Sequence, residues 1–149
     1  MQSLDRVALS ATVHCLTGCA IGEVLGMVLG AALDLANLPT VVLSIALAFL
    51  FGYSLTSLPL LRSGLPLRRV VPLALASDTA SIGVMEVVDN AIVLAIPGAM
   101  SLGLGDPGFW ASLAVALLVA GAAAYPVNRH LIARGRGHAV VHAHHGHAH

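Results

Sequence analysis

The chain has 149 residues, of which 58% are hydrophobic and only 9% are charged. Soluble domains are typically about 45–50% apolar and about 25% charged, so this composition predicts an integral membrane protein that contacts the lipid bilayer. Seven basic residues, all of them arginine, balance seven acidic residues. The balance excludes the strongly basic surface by which proteins bind nucleic acids.

Four apolar segments follow one another, each near the roughly 20 residues that a helix needs to cross a bilayer. They are Val7–Leu33, Leu38–Leu58, Val70–Pro97 and Phe109–Leu131. Short connectors containing proline and glycine separate them, and short connectors force consecutive helices to be antiparallel neighbours. We therefore expect an all-α fold, a polytopic integral membrane four-helix bundle built from two antiparallel hairpins. This domain should cover residues 1–134, and a flexible His-rich tail should cover residues 135–149.

The arginines predict the orientation of the bundle, because cytoplasmic loops carry an excess of Lys and Arg. They lie before the first segment, between the second and third segments, and after the fourth segment, at Arg6, Arg62, Arg68, Arg69, Arg129, Arg134 and Arg136. The other two connectors contain Asp34 and Asp106 and no arginine. We therefore expect both termini to be cytoplasmic.

The first segment contains the stretch "HCLTGCAIGE", in which Cys15, Cys19 and Glu23 form one row at a spacing of four residues. His14 lies at the flank of this row. A second row beside it consists of glycines at the same spacing, Gly18, Gly22, Gly26 and Gly30. Such a row lets another helix approach closely. We expect it to contact a second copy of the chain or a larger membrane partner.

The third segment contains carboxylates in a span that should have none, in the stretch "SDTASIGVMEVVDN". Asp78, Met85 and Asp89 project along one line of the helix, and Glu86 projects along a neighbouring line. Each charge at the centre of a bilayer costs roughly 3 kcal/mol, so four carboxylates including Glu23 require compensation on the order of 10 kcal/mol. Protonation, polar partners or a bound cation must supply it.

The first and third segments run in the same direction, so equal distances along them give equal depths. At about 1.5 Å per residue, Cys15 and Asp78 lie about 12 Å deep, and Glu23 and Glu86 lie about 24 Å deep. We therefore expect these two helices to be in contact, whereas the second and fourth should act as an apolar scaffold. The contact would align eight groups of metal-ligand type: His14, Cys15, Cys19, Glu23, Asp78, Met85, Glu86 and Asp89.

This donor set mixes thiol, imidazole and thioether groups, which suit soft or borderline transition metals, with harder carboxylates. We expect it to bind a copper, zinc or iron ion, and transport of that ion is the extended form of the hypothesis. Six of the eight histidines lie in the terminal tail, at His138, His142, His144, His145, His147 and His149. A short His-rich tract has a metal-binding composition, so the tail is predicted to act as a metal buffer.

Two alternatives stay open. The chain can be a non-catalytic accessory subunit of a larger membrane complex. It can also be a thiol redox protein using Cys15 and Cys19, although their spacing departs from the usual Cys-x-x-Cys pair. The sequence has no Gly-x-Ser-x-Gly, His-Glu-x-x-His or phosphate-loop motif, and we expect no enzymatic activity.

The stretches "HCLTGCAIGE", "SDTASIGVMEVVDNAIVLAIPGAM" and "PVNRHLIARGRGHAVVHAH" resemble those of a bacterial family of small four-span membrane proteins of unknown function with an HCxxGCxxGE motif. The resemblance extends over nearly the whole chain. It implies the four-span fold and a multi-pass protein of the bacterial inner membrane, and it implies no activity.

Overall fold

Four long α-helices dominate the computed structural model, which describes residues 3–135. The helices are α1 (Leu4–Ala32), α2 (Asn37–Arg62), α3 (Leu67–Ala95) and α4 (Pro107–Ala133). A short 3-10 helix at Ala99–Ser101 lies between α3 and α4, and residues 3–135 contain no β-strand. Each of the four helices is long and apolar enough to cross a membrane. The expected all-α four-helix bundle is confirmed, and it is that of a multi-pass membrane protein.

The helices extend a few residues beyond the apolar segments at the ends that carry charge. α1 begins at Leu4, where Ser3 accepts a hydrogen bond from the backbone N–H of Arg6. α3 begins at Leu67, directly after Pro66. Backbone hydrogen bonding does not require apolar side chains, so a helix continues into the polar boundary until a capping residue or a proline ends it. Apolar length alone therefore underestimates these two helices.

The helices pack as two hairpins, α1–α2 and α3–α4, and α1 contacts both helices of the second hairpin. The interior is built from small side chains, and its main cluster consists of Cys15, Cys19, Ala48, Ile82, Met85, Ala120 and Ala124. Large apolar residues such as Val87 and Leu118 lie outside, 72% and 69% exposed. A surface of this kind suits contact with lipid.

The glycine row of α1 packs against α2 of the same chain. A Cβ atom at Gly18 would lie 2.8 Å from Cα of Gly52, so the two backbones are in direct contact. A Cβ atom at any of the next three glycines would come within less than 3.0 Å of α2, opposite Ala48, Ser44 and Thr40 in turn. The expectation that this row contacts a second copy or a larger partner was therefore wrong. α2 carries its own row of small residues at four-residue spacing, and it occupies the glycine surface.

The buried side-chain amide of Asn128 connects three helices by hydrogen bonds, towards the end of the bundle that holds the N-terminus. The Nδ2 atom of Asn128 in α4 donates hydrogen bonds of 3.0 Å to Thr12 in α1 and to Ser81 in α3. Just outside, Arg129 forms an ion pair with Asp5 at 2.7 Å. These polar contacts fix the relative position of α1 and α3, which carry the candidate site.

Candidate functional site

The contact between α1 and α3 begins at Cys15 and Asp78, both of which are completely buried. The thiol of Cys15 points to Oδ1 of Asp78 at 4.0 Å, and Ser77 donates a hydrogen bond of 2.8 Å to the same oxygen. The side chain of Thr56 in α2 also interacts with Asp78. The carboxyl group therefore lies among three helices, with polar neighbours from each.

His14 of α1 is linked to this group of residues by a side chain of α2. Its Nε2 atom lies 2.9 Å from Oγ1 of Thr56, the same hydroxyl-bearing residue that interacts with Asp78. α2 was expected to be an apolar scaffold, and that expectation missed Thr56. The signal was present in the sequence, because the buried residues of α2 recur every four positions and include three hydroxyl groups. They are Thr40, Ser44, Ala48, Gly52, Thr56 and Leu60.

One turn further along α1, two sulfur atoms meet in the interior of the bundle. Sγ of Cys19 lies 3.9 Å from Sδ of Met85, and both residues are almost completely buried. Cys19 also interacts with the carboxyl group of Glu86. Both cysteines are free thiols, and each contacts a different residue of α3. The two thiols therefore belong to separate levels of the α1–α3 contact.

Three carboxyl groups form the last level, near the end of the bundle opposite the N-terminus. Glu23, Glu86 and Asp89 interact electrostatically with one another, and they are only 7%, 4% and 2% exposed. Oε1 of Glu23 and all four oxygens of the other two carboxyl groups have no hydrogen bond of acceptable geometry within residues 3–135. The ion pair between Arg129 and Asp5 lies at the opposite end of the bundle, near the N-terminus.

The structure brings together most of the residues that the sequence singled out. Cys15 meets Asp78, and Cys19 meets Met85, which confirms the expected contact between the first and third helices. The levels do not merge into one cluster. Among the residues that the structure describes, no three His, Cys, Asp or Glu side chains converge to hold a metal ion. The predicted tail buffer, His138 to His149, lies outside the described residues.

A groove between α2 and α3 exposes one side of the carboxyl level to the apolar surface. Its volume is about 600 Å³, and its walls include Phe49, Gly83, Glu86, Val87 and Asn90. Most of the wall is apolar. Glu86 is thus buried among protein atoms yet lies at the wall of a groove that opens on the apolar outer surface of the bundle.

Residues 6–137 match the family described as "Domain of unknown function (DUF4396)". The chain belongs to this family. The comparisons with curated proteins and with solved structures found no match. The expected membership in a family of unknown function is confirmed, whereas the bacterial origin and the HCxxGCxxGE motif of the family stay predictions. Any function must therefore be argued from the three levels described above.

Proposed function

We propose that the protein binds a soft transition-metal ion between α1 and α3 and moves it through the membrane. The observation that carries the proposal is the 3.9 Å distance between Sγ of Cys19 and Sδ of Met85. Two sulfur atoms at this separation can both lie at a typical ligand distance of about 2.3 Å from one ion, with a sulfur–metal–sulfur angle of about 115°. That angle lies between the tetrahedral and trigonal values.

The donor types narrow the choice of ion. A thiolate paired with a thioether selects Cu(I) more strongly than Fe(II), and zinc accepts the thiolate but rarely the thioether. The carboxyl group of Glu86, which interacts with Cys19, is available as a further ligand. Copper is therefore the first candidate among copper, zinc and iron, and the proposed site consists of Cys19, Met85 and Glu86.

The other two levels would serve as steps on either side of this site. Cys15 and Asp78 lie one level nearer the N-terminal end, and Glu23 and Asp89 lie on the opposite side. Ionisable groups inside a membrane are costly and by default mark the pathway of an ion or a proton. A series of such groups at successive depths favours transport over simple storage, and we assign no enzymatic activity.

The location in this proposal is the bacterial inner membrane, as the family resemblance implies, and the arginine distribution supports an orientation with both termini in the cytoplasm. In that orientation the tail would collect metal on the cytoplasmic side and exchange it with the level formed by Cys15 and Asp78. The tail ligands in this proposal are His138, His142, His144, His145, His147 and His149.

Metal content measured by mass spectrometry tests the proposal. The full chain without an added tag is purified under reducing, metal-replete conditions, beside a version in which the six tail histidines are replaced by serine. The tail-substituted chain should retain one transition-metal ion per molecule. Met85→Leu in that background should lower the metal content, because it keeps the side-chain volume and removes the sulfur. Met27→Leu is the matched control, since the two thiols of the described chain contact Asp78 and Met85 rather than Met27.

Substitution of both thiols by hydroxyls, Cys15→Ser with Cys19→Ser, should abolish the remaining binding. If the tail-substituted chain carries no metal, or if Met85→Leu and Met27→Leu retain equal amounts, the metal-site proposal is wrong. The interpretation as an accessory subunit of a larger membrane complex would then be preferred.

A further inference from the structure

A small cavity lies beside the carboxyl level, at the end of the bundle opposite the N-terminus. Its volume is about 30 Å³, and the polar residues of its walls are Glu23, Ser44, Asp89, Asn90 and Ser112. Ala99 and Met100 of the segment between α3 and α4 also line it, together with Phe109 at the start of α4. It is distinct from the sulfur pair, because neither Cys19 nor Met85 lines it.

Four polar atoms in the walls of this cavity are buried without a hydrogen-bond partner in the described residues. Glu23 is 7% exposed, and Ser44 and Asp89 are each 2% exposed. Oε1 of Glu23, Oγ of Ser44 and both carboxyl oxygens of Asp89 have no hydrogen bond within residues 3–135. Buried polar groups in folded proteins nearly always have a partner, so a group of them around one cavity indicates a ligand.

Ser44 differs from other hydroxyl-bearing residues of these helices. Thr12, Thr40 and Ser54 each donate a hydrogen bond of 2.6–3.0 Å to the carbonyl group four residues earlier. This local bond is the usual way in which a hydroxyl group is satisfied inside a membrane helix. Ser44 does not form it, and its hydroxyl group is left available to the cavity.

The charges of the wall residues indicate the sign of the charge on the ligand. The Nδ2 atom of Asn90 donates one hydrogen bond to the backbone carbonyl of Glu86 at 2.8 Å, which leaves the amide oxygen and one N–H of Asn90 available. Among the residues that the structure describes, no arginine or histidine lines the cavity. Apart from the N–H of Asn90, the polar groups of the walls offer oxygens, and two of them, the carboxyl groups of Glu23 and Asp89, carry a negative charge when ionised.

We propose that this cavity binds a small, hard divalent cation of the Ca²⁺ type. Two carboxylates balance the charge of one divalent ion, and carboxylate, hydroxyl and amide oxygens are the ligands that Ca²⁺ takes at 2.3–2.6 Å. One water molecule needs about 10–15 Å³ of such space, so the cavity accepts two or three occupants of that size. Mg²⁺ requires near-ideal octahedral geometry at shorter distances and gives up its waters reluctantly, so it should bind these wall oxygens less well than Ca²⁺.

Equilibrium binding of radioactive Ca²⁺ to the full chain in detergent, with excess Na⁺ present, tests this site. The expected result is saturable binding of one Ca²⁺ per chain that an equal concentration of Mg²⁺ does not displace. Asp89→Asn should weaken the affinity about tenfold or more, because the loss of even an outer-shell partner of a metal site costs about 10–100-fold. Asp34→Asn is the control, because Asp34 lies in the exposed turn after α1 and is not part of the cavity.

Cys19→Ser should leave Ca²⁺ binding unchanged, which separates this site from the proposed sulfur site. The tail histidines do not interfere, because Ca²⁺ selects oxygen ligands. Absence of saturable binding, displacement by Na⁺ alone, or equal affinities for Asp89→Asn and Asp34→Asn would overturn the proposal.

A second measurement does not depend on the folding of a charge variant. Ca²⁺ should raise the thermal unfolding temperature of the parent chain, because a ligand that binds the folded state stabilises it. The increase should be smaller in Ser44→Ala, which removes one hydroxyl oxygen and requires no new packing. Ser54→Ala is the matched control, since its hydroxyl group donates to Leu50 within its own helix. Equal increases in the two serine variants would contradict a role for Ser44 in the cavity.

Discussion

The Nε2 atom of His14 lies 2.9 Å from Oγ1 of Thr56, and this pair continues the register in which α1 packs against α2. Gly18 faces Gly52 one turn further along, and Gly22 faces Ala48 after that. The same register therefore sets both the close approach of the two backbones and the polar link between them. Because Thr56 also interacts with Asp78, the glycine row indirectly positions a polar group of the candidate site.

Close packing along this register predicts opposite effects for two glycine substitutions. Gly22→Ala places a Cβ atom against the backbone of Ala48 and should cost about 1–3 kcal/mol of stability. Gly83→Ala is the matched control, because a Cβ atom there meets nothing within 4 Å. It should be neutral or gain up to about 1 kcal/mol from helix propensity. Unfolding by heat in detergent measures both, and equal stabilities would contradict the packing described for α1 and α2.

The link between His14 and Thr56 predicts an energetic coupling between the two side chains. Thr56→Val removes the hydroxyl group and should lower stability by about 1 kcal/mol, whereas Thr56→Ser should retain most of it. A double-mutant cycle with His14→Ala measures the coupling, which for residues in direct contact is about 0.5–3 kcal/mol. Thr17→Val is the control, since the hydroxyl group of Thr17 bonds only to its own helix. Additive effects of the two substitutions would rule out the link.

The sequence predicts the contact between α1 and α3 because both helices carry costly polar residues at matching depths. Cys15 with Asp78 and Glu23 with Glu86 follow from that argument. The partner of the glycine row does not follow, because a row of glycines indicates close approach without specifying which helix approaches. The polar contact of Thr56 was not predicted for a similar reason, because α2 was expected to be an apolar scaffold. A single hydroxyl group costs little in an apolar helix, where it can bond to its own backbone, so Thr56 taken alone gives no warning of a polar contact. Only the four-residue period that it shares with the other small residues of α2 marks its side as the packed one.

We expect Asn128 to contribute more to the stability of the fold than its neighbour Arg129 in α4. Asn128→Leu removes both hydrogen bonds from its Nδ2 atom and leaves the hydroxyl groups of Thr12 and Ser81 without that donor. The expected loss is about 1–3 kcal/mol. Arg129→Gln breaks an exposed ion pair with Asp5 and should change the stability only slightly, by an amount that decreases with added salt. Chemical unfolding of both variants at low and high salt distinguishes these contributions.

The proposed orientation predicts which connectors react with a membrane-impermeant thiol reagent. Ser101→Cys, in the segment between α3 and α4, should be labelled in intact cells. Ser63→Cys, in the turn between α2 and α3, should be labelled only after the membrane is permeabilised, because that turn is flanked by arginines. The native thiols of Cys15 and Cys19 are buried and give little background. Labelling of Ser63→Cys alone in intact cells would show that the orientation is inverted.

Asp78→Asn separates membrane insertion from metal transport. The substitution removes a charge that costs roughly 3 kcal/mol at the centre of a bilayer, so insertion should be unchanged or improved. The amide retains an oxygen that can accept the hydrogen bond from Ser77, and the local packing should therefore persist. It loses the negative charge beside Cys15 that the proposed pathway requires.

Uptake of copper into liposomes containing the purified protein measures the effect on transport. Asp78→Asn should lower the uptake rate about tenfold or more, by analogy with other charged groups at metal sites. The metal bound at Cys19 and Met85 should remain, because the sulfur pair lies one level away along α1 and does not use Asp78. Asp34→Asn, in the exposed turn after α1, controls for the general effect of removing one carboxylate. Uptake by Asp78→Asn equal to that of this control would exclude Asp78 from the pathway, whereas a parallel loss of bound metal would show that the two levels form one site.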